Sequence, residues 1–503
     1  MILRPDVRDL QLIASSLGRA VGWSGAAMLA PAVVAAVQAE WDALTALLLS
    51  GALAVLVGRA ATAAFHVRRQ PTWTHGMVTI GLAWLLVPVF AGLPLYLAGH
   101  TDGFFDAYFE GLSGLTTTGL TLVQDLDHLA VSLNLWRHLL QFLGGQAVVV
   151  VILTLFTTTS GQGGSLSLGD VRDTRITPNV TRTARFILTV GATFAAVGVT
   201  ALAIAGALGG LHPARALLHG TALFLSAYDT GGFALQSTSA GYYHSAAVEG
   251  VVIVLMIAGA LSYGIHFELW RGNRRELLRN IETRTVALTF LSLLAVTLVG
   301  LGRSGAFTTA GPMFRQGFFT LVSAHTTSGL TVTSARVIAA DWGLLAPAAM
   351  VTAMAIGGMA SSSAGGIKAI RIGLVLKGIS QEVRRVLLPE SAMVLATYHQ
   401  HRRQILRDVH IRGAATVLLL FLFTFLVGGL ITLFTDGTVD FTEALFESTA
   451  AAANTGMSIG ILRPEAPVAV KVVLALQMWF GRLEFMAVFA TLGYAFALLR
   501  GRT

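Results

Sequence analysis

The chain has 503 residues, 54% of them hydrophobic and 12% charged, with a mean hydropathy of +0.71. Soluble proteins carry about 25% charged residues, so this composition excludes a water-soluble enzyme and makes lipid the solvent along most of the length. The net charge of +8, from 34 Lys and Arg against 26 Asp and Glu, reads as an orientation signal on loops rather than a nucleic-acid footprint, and the absence of cysteine excludes disulfides, thiolate metal sites and cysteine nucleophiles.

The polar, basic start, MILRPDVRDLQLIASSLGRA, has no small-residue cleavage site at signal-peptide distance and reads as a cytosolic tail before a retained helix. Apolar runs of bilayer length then lie near 20–38, 43–65, 76–98, 138–159, 185–209, 247–269, 283–302, 342–360, 413–434 and 467–499, which predicts ten spans. Shorter apolar segments at 103–121, 213–233, 312–331 and 441–458 end in Thr/Gly-rich tracts. They are too short to cross and are predicted to be re-entrant, a helix going partway in and a loop coming back.

Loop charges agree with ten spans and both termini cytosolic. One side collects Arg68, Arg69, Arg172, Arg175, Arg182, Arg185, Arg271, Arg274, Arg275, Arg279, Arg284, the basic stretch Arg371 to Arg412, Arg500 and Arg502. The other collects Glu40, Asp42, Asp102, Asp106, Asp125, Asp127, Asp436 and Asp440.

The Thr/Gly tracts repeat. One register aligns Ala107, Phe109, Glu110 and Gly119 with Ala444, Phe446, Glu447 and Gly456, and another aligns Ser113 and Thr116–Thr121 with Ser323 and Thr326–Thr331. The divergent second tract, Tyr228 to Phe233, fits with Gly232 rather than Gly231 opposite Gly119. The following helices repeat as well, at Gln141–Gly145, Met256–Ala260, Met354–Gly358 and Gln477–Gly481. The fold expected is therefore an all-α polytopic membrane protein with four pseudo-symmetric helix–pore loop–helix repeats around a central pore. Its predicted parts are a two-helix extension over 1–70, repeats over 71–160, 161–272 and 273–378, a cytosolic basic linker over 379–411 and a last repeat over 412–503.

Four such tracts around one axis make a pore. An alkali cation leaves water only where oxygen dipoles replace its hydration shell, and backbone carbonyls supply them without a full charge. Glycine lets consecutive carbonyls turn to one axis, because positive φ costs it little. The expected ion-binding residues are Thr117, Thr118 and Gly119, Thr230, Gly231 and Gly232, Thr327, Ser328 and Gly329, and Asn454, Thr455 and Gly456. Two readings fit Glu110 and Glu447: an acidic outer rim that concentrates cations, or stabilisation of a helix N-terminus.

Glycines and serines interrupt the third repeat's second helix from Gly357 and Gly358 through Ser361, Ser362 and Ser363 to Gly365 and Gly366, with Lys368 beside them. Irregular backbone at membrane depth survives only where it lines a cavity or is buried in protein, so this loop is expected to be the gate. Arg482 lies inside the last apolar run and needs a carboxylate or a carbonyl, with Glu484 or a loop carbonyl as partner. It fits either an electrostatic barrier below the filter or an ion pair tying repeats together. The 13 histidines are scattered, and no catalytic spacing appears.

The tracts TTTGLT, DTGGF, TTSGLT and NTGMS, with GGMASSSAGGIKAIRI and the GRLE around Arg482, resemble the Trk/Ktr/HKT superfamily of potassium transporters over roughly residues 76–499. The extra N-terminal helix pair looks like the bacterial TrkH-type membrane subunit. The resemblance implies potassium uptake through filter glycines Gly119, Gly232, Gly329 and Gly456, an intramembrane gating loop at 357–366 and a pore-facing Arg482. It also implies a homodimer in the bacterial inner membrane, no cofactor in this chain, and a cytosolic Rossmann-type regulatory subunit that binds nucleotide and docks on the basic loops. Two departures stand out: Asp229, expected to bring a carboxylate near the outer filter, and the run Ala450–Ala453 in place of hydroxyls. Gly119 stands where serine accompanies sodium transport in plant members, which favours potassium. The alternatives are a sodium or mixed transporter of the same build, an organic-solute carrier, which would show two inverted halves, and a membrane-embedded enzyme, which would show clustered catalytic groups.

Overall fold

The computed structural model describes residues 6–67, 71–158, 180–389 and 396–500. The expected boundaries at 70, 160 and 161, with Arg68, Arg69, Arg172, Arg175 and Arg502, lie outside them.

Helix α1 (Val7–Ala27) passes through Met28 into α2 (Leu29–Val37), and α3 (Trp41–Ala64) packs on both. Small residues let α1 and α3 touch: a Cβ on Gly58 would meet the backbone of Gly18 and Gly22, and one on Gly25 would meet Gly51 and Ala54. In lipid such backbone approach is what holds helices together. Next come α4 (Trp73–Ala91), α5 (Leu93–Leu97), α6 (Phe104–Leu115) and α7 (Val131–Thr158). They are followed by α8 (Val180–Leu208), α9 (Pro213–Tyr228), α10 (Ala246–Ala260), α11 (Tyr263–Trp270) and α12 (Arg275–Arg279). The third group holds α13 (Ile281–Ser304), α14 (Ala310–His325), α15 (Ala335–Asp341), α16 (Leu345–Ile356) and α17 (Ala369–Leu387). An antiparallel hairpin of β1 (Thr397–Gln400) and β2 (Arg402–Ile405) leads to α18 (Asp408–Thr435), α19 (Phe441–Ala452), α20 (Val468–Arg482) and α21 (Met486–Leu499).

Each of the helices α6, α9, α14 and α19 packs between two others: α4 and α7, α8 and α10, α13 and α16, α18 and α20. The groups join in rotation. Helix α7 packs on α9, α10 on α14, α16 on α19, and α20 back on α6, closing a circle. The buried cores straddle these seams: Phe224 and Tyr228 gather with Phe319, Met350 with Phe446, and Phe109 with Met478.

Among the described residues six helices are long and apolar enough to cross a membrane, or up to eight if each bent pair counts as one span. Of the ten spans expected, three are not single straight helices. Helices α10 and α11 meet at 102°, α20 and α21 at 109°, and the run 342–360 holds only the 12-residue α16 before the chain opens at Gly357. Each pair taken together is apolar enough for one span, but its backbone does not stay helical. Ser262 starts a new helix, its hydroxyl accepting from Ile265 N–H at 3.2 Å, and Glu484 and Phe485 take φ of 49° and 66°.

A ring of four turns and the loop beneath it

The four short helices end alike. Thr117, Thr230, Thr327 and Asn454 adopt φ of 51°, 51°, 56° and 52°. The next N–H in each case donates to the carbonyl five residues back: Thr118 to Ser113 at 2.9 Å, and Gly231 to Ser226, Ser328 to Ser323 and Thr455 to Ala450 at 2.8 Å. This closes each helix with a Schellman-type turn built on a non-glycine residue, a left-handed conformation that costs about 1–3 kcal/mol apiece.

Gly119, Gly232, Gly329 and Gly456 follow with φ of 90°, 81°, 76° and 68°. A Cβ on Gly119 would strike the carbonyl oxygen of Gly231; on Gly232, that of Ser328; on Gly329, that of Thr455; and on Gly456, that of Thr118. Each obstructing oxygen belongs to the residue just before the neighbouring glycine, so four carbonyls and four glycines interlock in rotational order. The structure thus brings all twelve expected tract residues together, buried apart from the partly exposed Gly232 and Gly456. Asn454 bridges the last tract to the first by donating from Nδ2 to Thr118 Oγ1 at 2.9 Å.

The acidic residues of the short helices do not form a rim. Glu110 is buried, accepts from Thr121 Oγ1 at 2.7 Å and Val123 N–H at 3.2 Å, and pairs with Arg137 Nε at 3.2 Å. Glu447, its partner in register, accepts from Ser458 Oγ at 2.7 Å and from Ile459 and Leu462 N–H at 3.2 Å. Both carboxylates tie down the segment that leaves the turn. Asp106 is likewise interior, bonded to Lys471 Nζ at 2.7 Å.

Asp229 is not near the outer end of its tract. It is the C-terminal cap of α9, at the helix end of the turn, where it fills the space left by the missing side chain of Gly145. Gln146 Nε2 donates to its Oδ1 at 2.6 Å, and Tyr263 O–H donates to Gln146 Oε1 at 3.0 Å. Gln146, a polar residue in an apolar run, was the overlooked signal for this contact. The first tract carries Thr116 here, whose hydroxyl returns to Leu112 O at 2.7 Å, and the last carries Ala453.

The 357–366 loop lies directly under the turns and is wholly buried. Gly357 and Gly366, at φ of 70° and 77°, cross so closely that a side chain on either would hit the other strand of the loop. Ile367 and Lys368 N–H close its neck on Ala355 and Ile356 carbonyls at 3.0 and 3.1 Å. Above, Gly365 N–H donates to Thr327 Oγ1 at 2.7 Å. At the side, Ser363 Oγ reaches Tyr228 O at 3.1 Å and Gly259 O at 3.0 Å, Met359 N–H reaches Ala260 O at 3.1 Å, and Ser361 O accepts from Tyr263 N–H at 3.1 Å. Ser362 Oγ turns back to Met359 O at 2.6 Å, Gly358 packs against Ala260, and Lys368 Nζ donates to Ala364 O. Arg482 takes backbone carbonyls rather than Glu484, one from the loop and one from α7: Nη1 donates to Ser363 O at 2.7 Å and Nη2 to Gly144 O at 3.3 Å. Glu484 pairs instead with Arg371.

A line of hydrogen bonds, unforeseen in the sequence, runs from this loop to the hairpin. Ala360 N–H donates to Glu282 Oε1 at 2.7 Å, Glu282 N–H to Asn280 Oδ1 at 2.9 Å, and Asn280 Nδ2 to Glu276 Oε1 at 2.9 Å. His399 Nε2 lies 2.8 Å from Glu276 Oε2, and His401 N–H donates to Glu276 Oε1 at 2.9 Å. Burial pushes the Glu276 carboxyl up, but the bonds from His399, His401 and Asn280 together outweigh it and hold the group below its usual range.

Comparison with known proteins gives the following. The family described as "TrkH: Cation transport protein" matches residues 44–493. The Trk system potassium uptake protein TrkH of Halomonas elongata is 30% identical over 77% of this chain and 79% of its own. TrkI of the same organism is 29% identical over 92% of each, and TrkH of Escherichia coli (strain K12) 27% identical over 82% and 83%. The crystal structure of the potassium transporter TrkH from Vibrio parahaemolyticus matches the fold with a TM-score of 0.81 at 24% identity, covering 95% of this chain and 98% of that one.

Proposed function

The chain belongs to the TrkH family of cation transport proteins, ion transporters rather than enzymes, and we propose that it takes up potassium through the ring of four turns. The observation that carries the reading is the rotational interlock of Gly119, Gly232, Gly329 and Gly456 with the carbonyls of Gly231, Ser328, Thr455 and Thr118. Carbonyl dipoles held at one level replace the water around a bare monovalent cation, and the four short helices direct the partial negative charge of their C-termini to the same place. Thr117, Thr230, Thr327 and Asn454 begin the coordinating tracts. The 357–366 loop is the gate, because it fills the space beneath the ring and is held by hydrogen bonds rather than by a helix. Arg482, anchored on Ser363 and Gly144 carbonyls, supplies the positive charge that restrains leak.

In this reading the four helix groups are the four pore repeats, the protein spans the bacterial inner membrane several times with both termini cytosolic, and it pairs with a second copy. The hairpin and α17 face a cytosolic nucleotide-binding subunit that acts on the gate. The test is uptake of rubidium or potassium into vesicles holding the purified protein, with and without imposed ion gradients. Accumulation of both ions in preference to sodium is expected; absence of any cation flux overturns the assignment.

A further inference from the structure

Helices α13 and α17 part at the end facing the hairpin and leave a cavity of about 440 Å³. Arg279 at the end of α12, Arg284 in the first turn of α13, Lys377 on α17 and Arg403 on β2 border it, and among the described residues no carboxylate lines it. The hairpin sets two of these groups in place: Lys377 Nζ donates to Thr397 O at 3.0 Å and Arg403 Nε to Thr397 Oγ1 at 3.1 Å. Arg284 Nε is fixed on Leu278 O at 2.9 Å. Each bond uses one donor of a head that offers three in lysine or five in arginine. Leu288 and Leu376, 60% and 46% exposed, line it as well, on the helices that carry Arg284 and Lys377. Helix α13 is among those able to cross a membrane, so the cations gather at the end of a membrane helix, with Leu288 one turn farther along it and Leu376 beside it on α17.

We infer that this cavity binds an anionic phospholipid, its phosphodiester among Arg279, Arg284, Lys377 and Arg403 and an acyl chain along Leu288 and Leu376. A soluble phosphate satisfies the cations and leaves the leucines bare; a zwitterionic lipid covers the leucines and brings an ammonium to a site already positive. The same lipid bridges both helices attached to the loop. Helix α13 carries Glu282, which holds Ala360, and α17 leaves the loop at Ala369. The binding site stands independently of the transport reading; only an effect on flux rests on it.

The test is native mass spectrometry of the full-length protein titrated with phosphatidylglycerol or with phosphatidylcholine, for the natural chain and the Arg284→Gln/Lys377→Gln/Arg403→Gln variant. Phosphatidylglycerol is expected to bind in preference, the triple variant to lose more than about tenfold in its affinity, and Arg385→Gln, on the same helix and paired with Glu382, to lose none. Each near-surface cation contributes about 1 kcal/mol toward an anionic lipid, so the single, exposed Arg403→Gln should lose about fivefold and serves if the triple variant does not fold. Equal binding of the two lipids, undiminished binding by the variants, or displacement of phosphatidylglycerol by inorganic phosphate at matched concentration overturns the proposal.

Discussion

At the level of the turns, the four quarters share one left-handed residue, one glycine of positive φ and one hydrogen bond five residues back. One layer below, the helices that follow share no such plan. Helix α7 runs on through Gly144 and Gly145, α10 stops before Leu261, α16 opens into the 357–366 loop, and α20 turns at Leu483. On the proposed function a dehydrated ion asks the same of every direction around it, which accounts for equality where the carbonyls converge. On the same reading a movable obstruction is needed only once, and of these four helices only α16 opens into a loop beneath the turns.

The largest test of this contrast is Gly329→Ser. Its Cβ collides with Thr455 O at a positive φ, so the ring must widen there; potassium-over-sodium selectivity in vesicle uptake is expected to fall at least about tenfold, on the order of 1.4 kcal/mol, with expression intact. Unchanged selectivity would remove Gly329 from the coordinating ring. Arg482→Ala probes the lower layer, where potassium flux should rise several-fold with selectivity kept. Flux held constant with a lower Tm would make the arginine a tie between Ser363 and Gly144 instead of a barrier. The finest test compares two equivalent serines. Ser113 Oγ accepts from Gly119 N–H at 3.1 Å, whereas Ser226 Oγ has no hydrogen-bond partner among the described residues. Ser113→Ala should therefore cost about 1 kcal/mol by thermal unfolding and Ser226→Ala close to none; equal losses would mean that burial, not the bond, sets their worth.

The upper layer was legible in the sequence because its geometry is written in residue types that recur in register: a glycine that must approach a carbonyl, hydroxyls around it, and apolar residues behind. The register even separates Gly232 from Gly231, and the backbone gives positive φ to Gly232 alone. The lower layer was legible only where glycine and serine interrupt the helix at 357–366. The bend at Glu484 and Phe485 uses positive φ at residues that give no warning of it, and Ser262 looked like one more polar residue in a span although it caps α11. Charges misled for the same reason. Glu110, Glu447 and Asp106 sit near predicted loops, but their buried partners come from distant segments, and separation along the chain hides such pairs.

Because the interlocked ring comes from one polypeptide, a substitution enters it once, not four times as it would in an assembly of identical subunits. A single quadrant can therefore change while the remaining three keep their turns and carbonyls. Asp229 and Ala453, where the first and third quadrants carry threonine, are such single-quadrant differences.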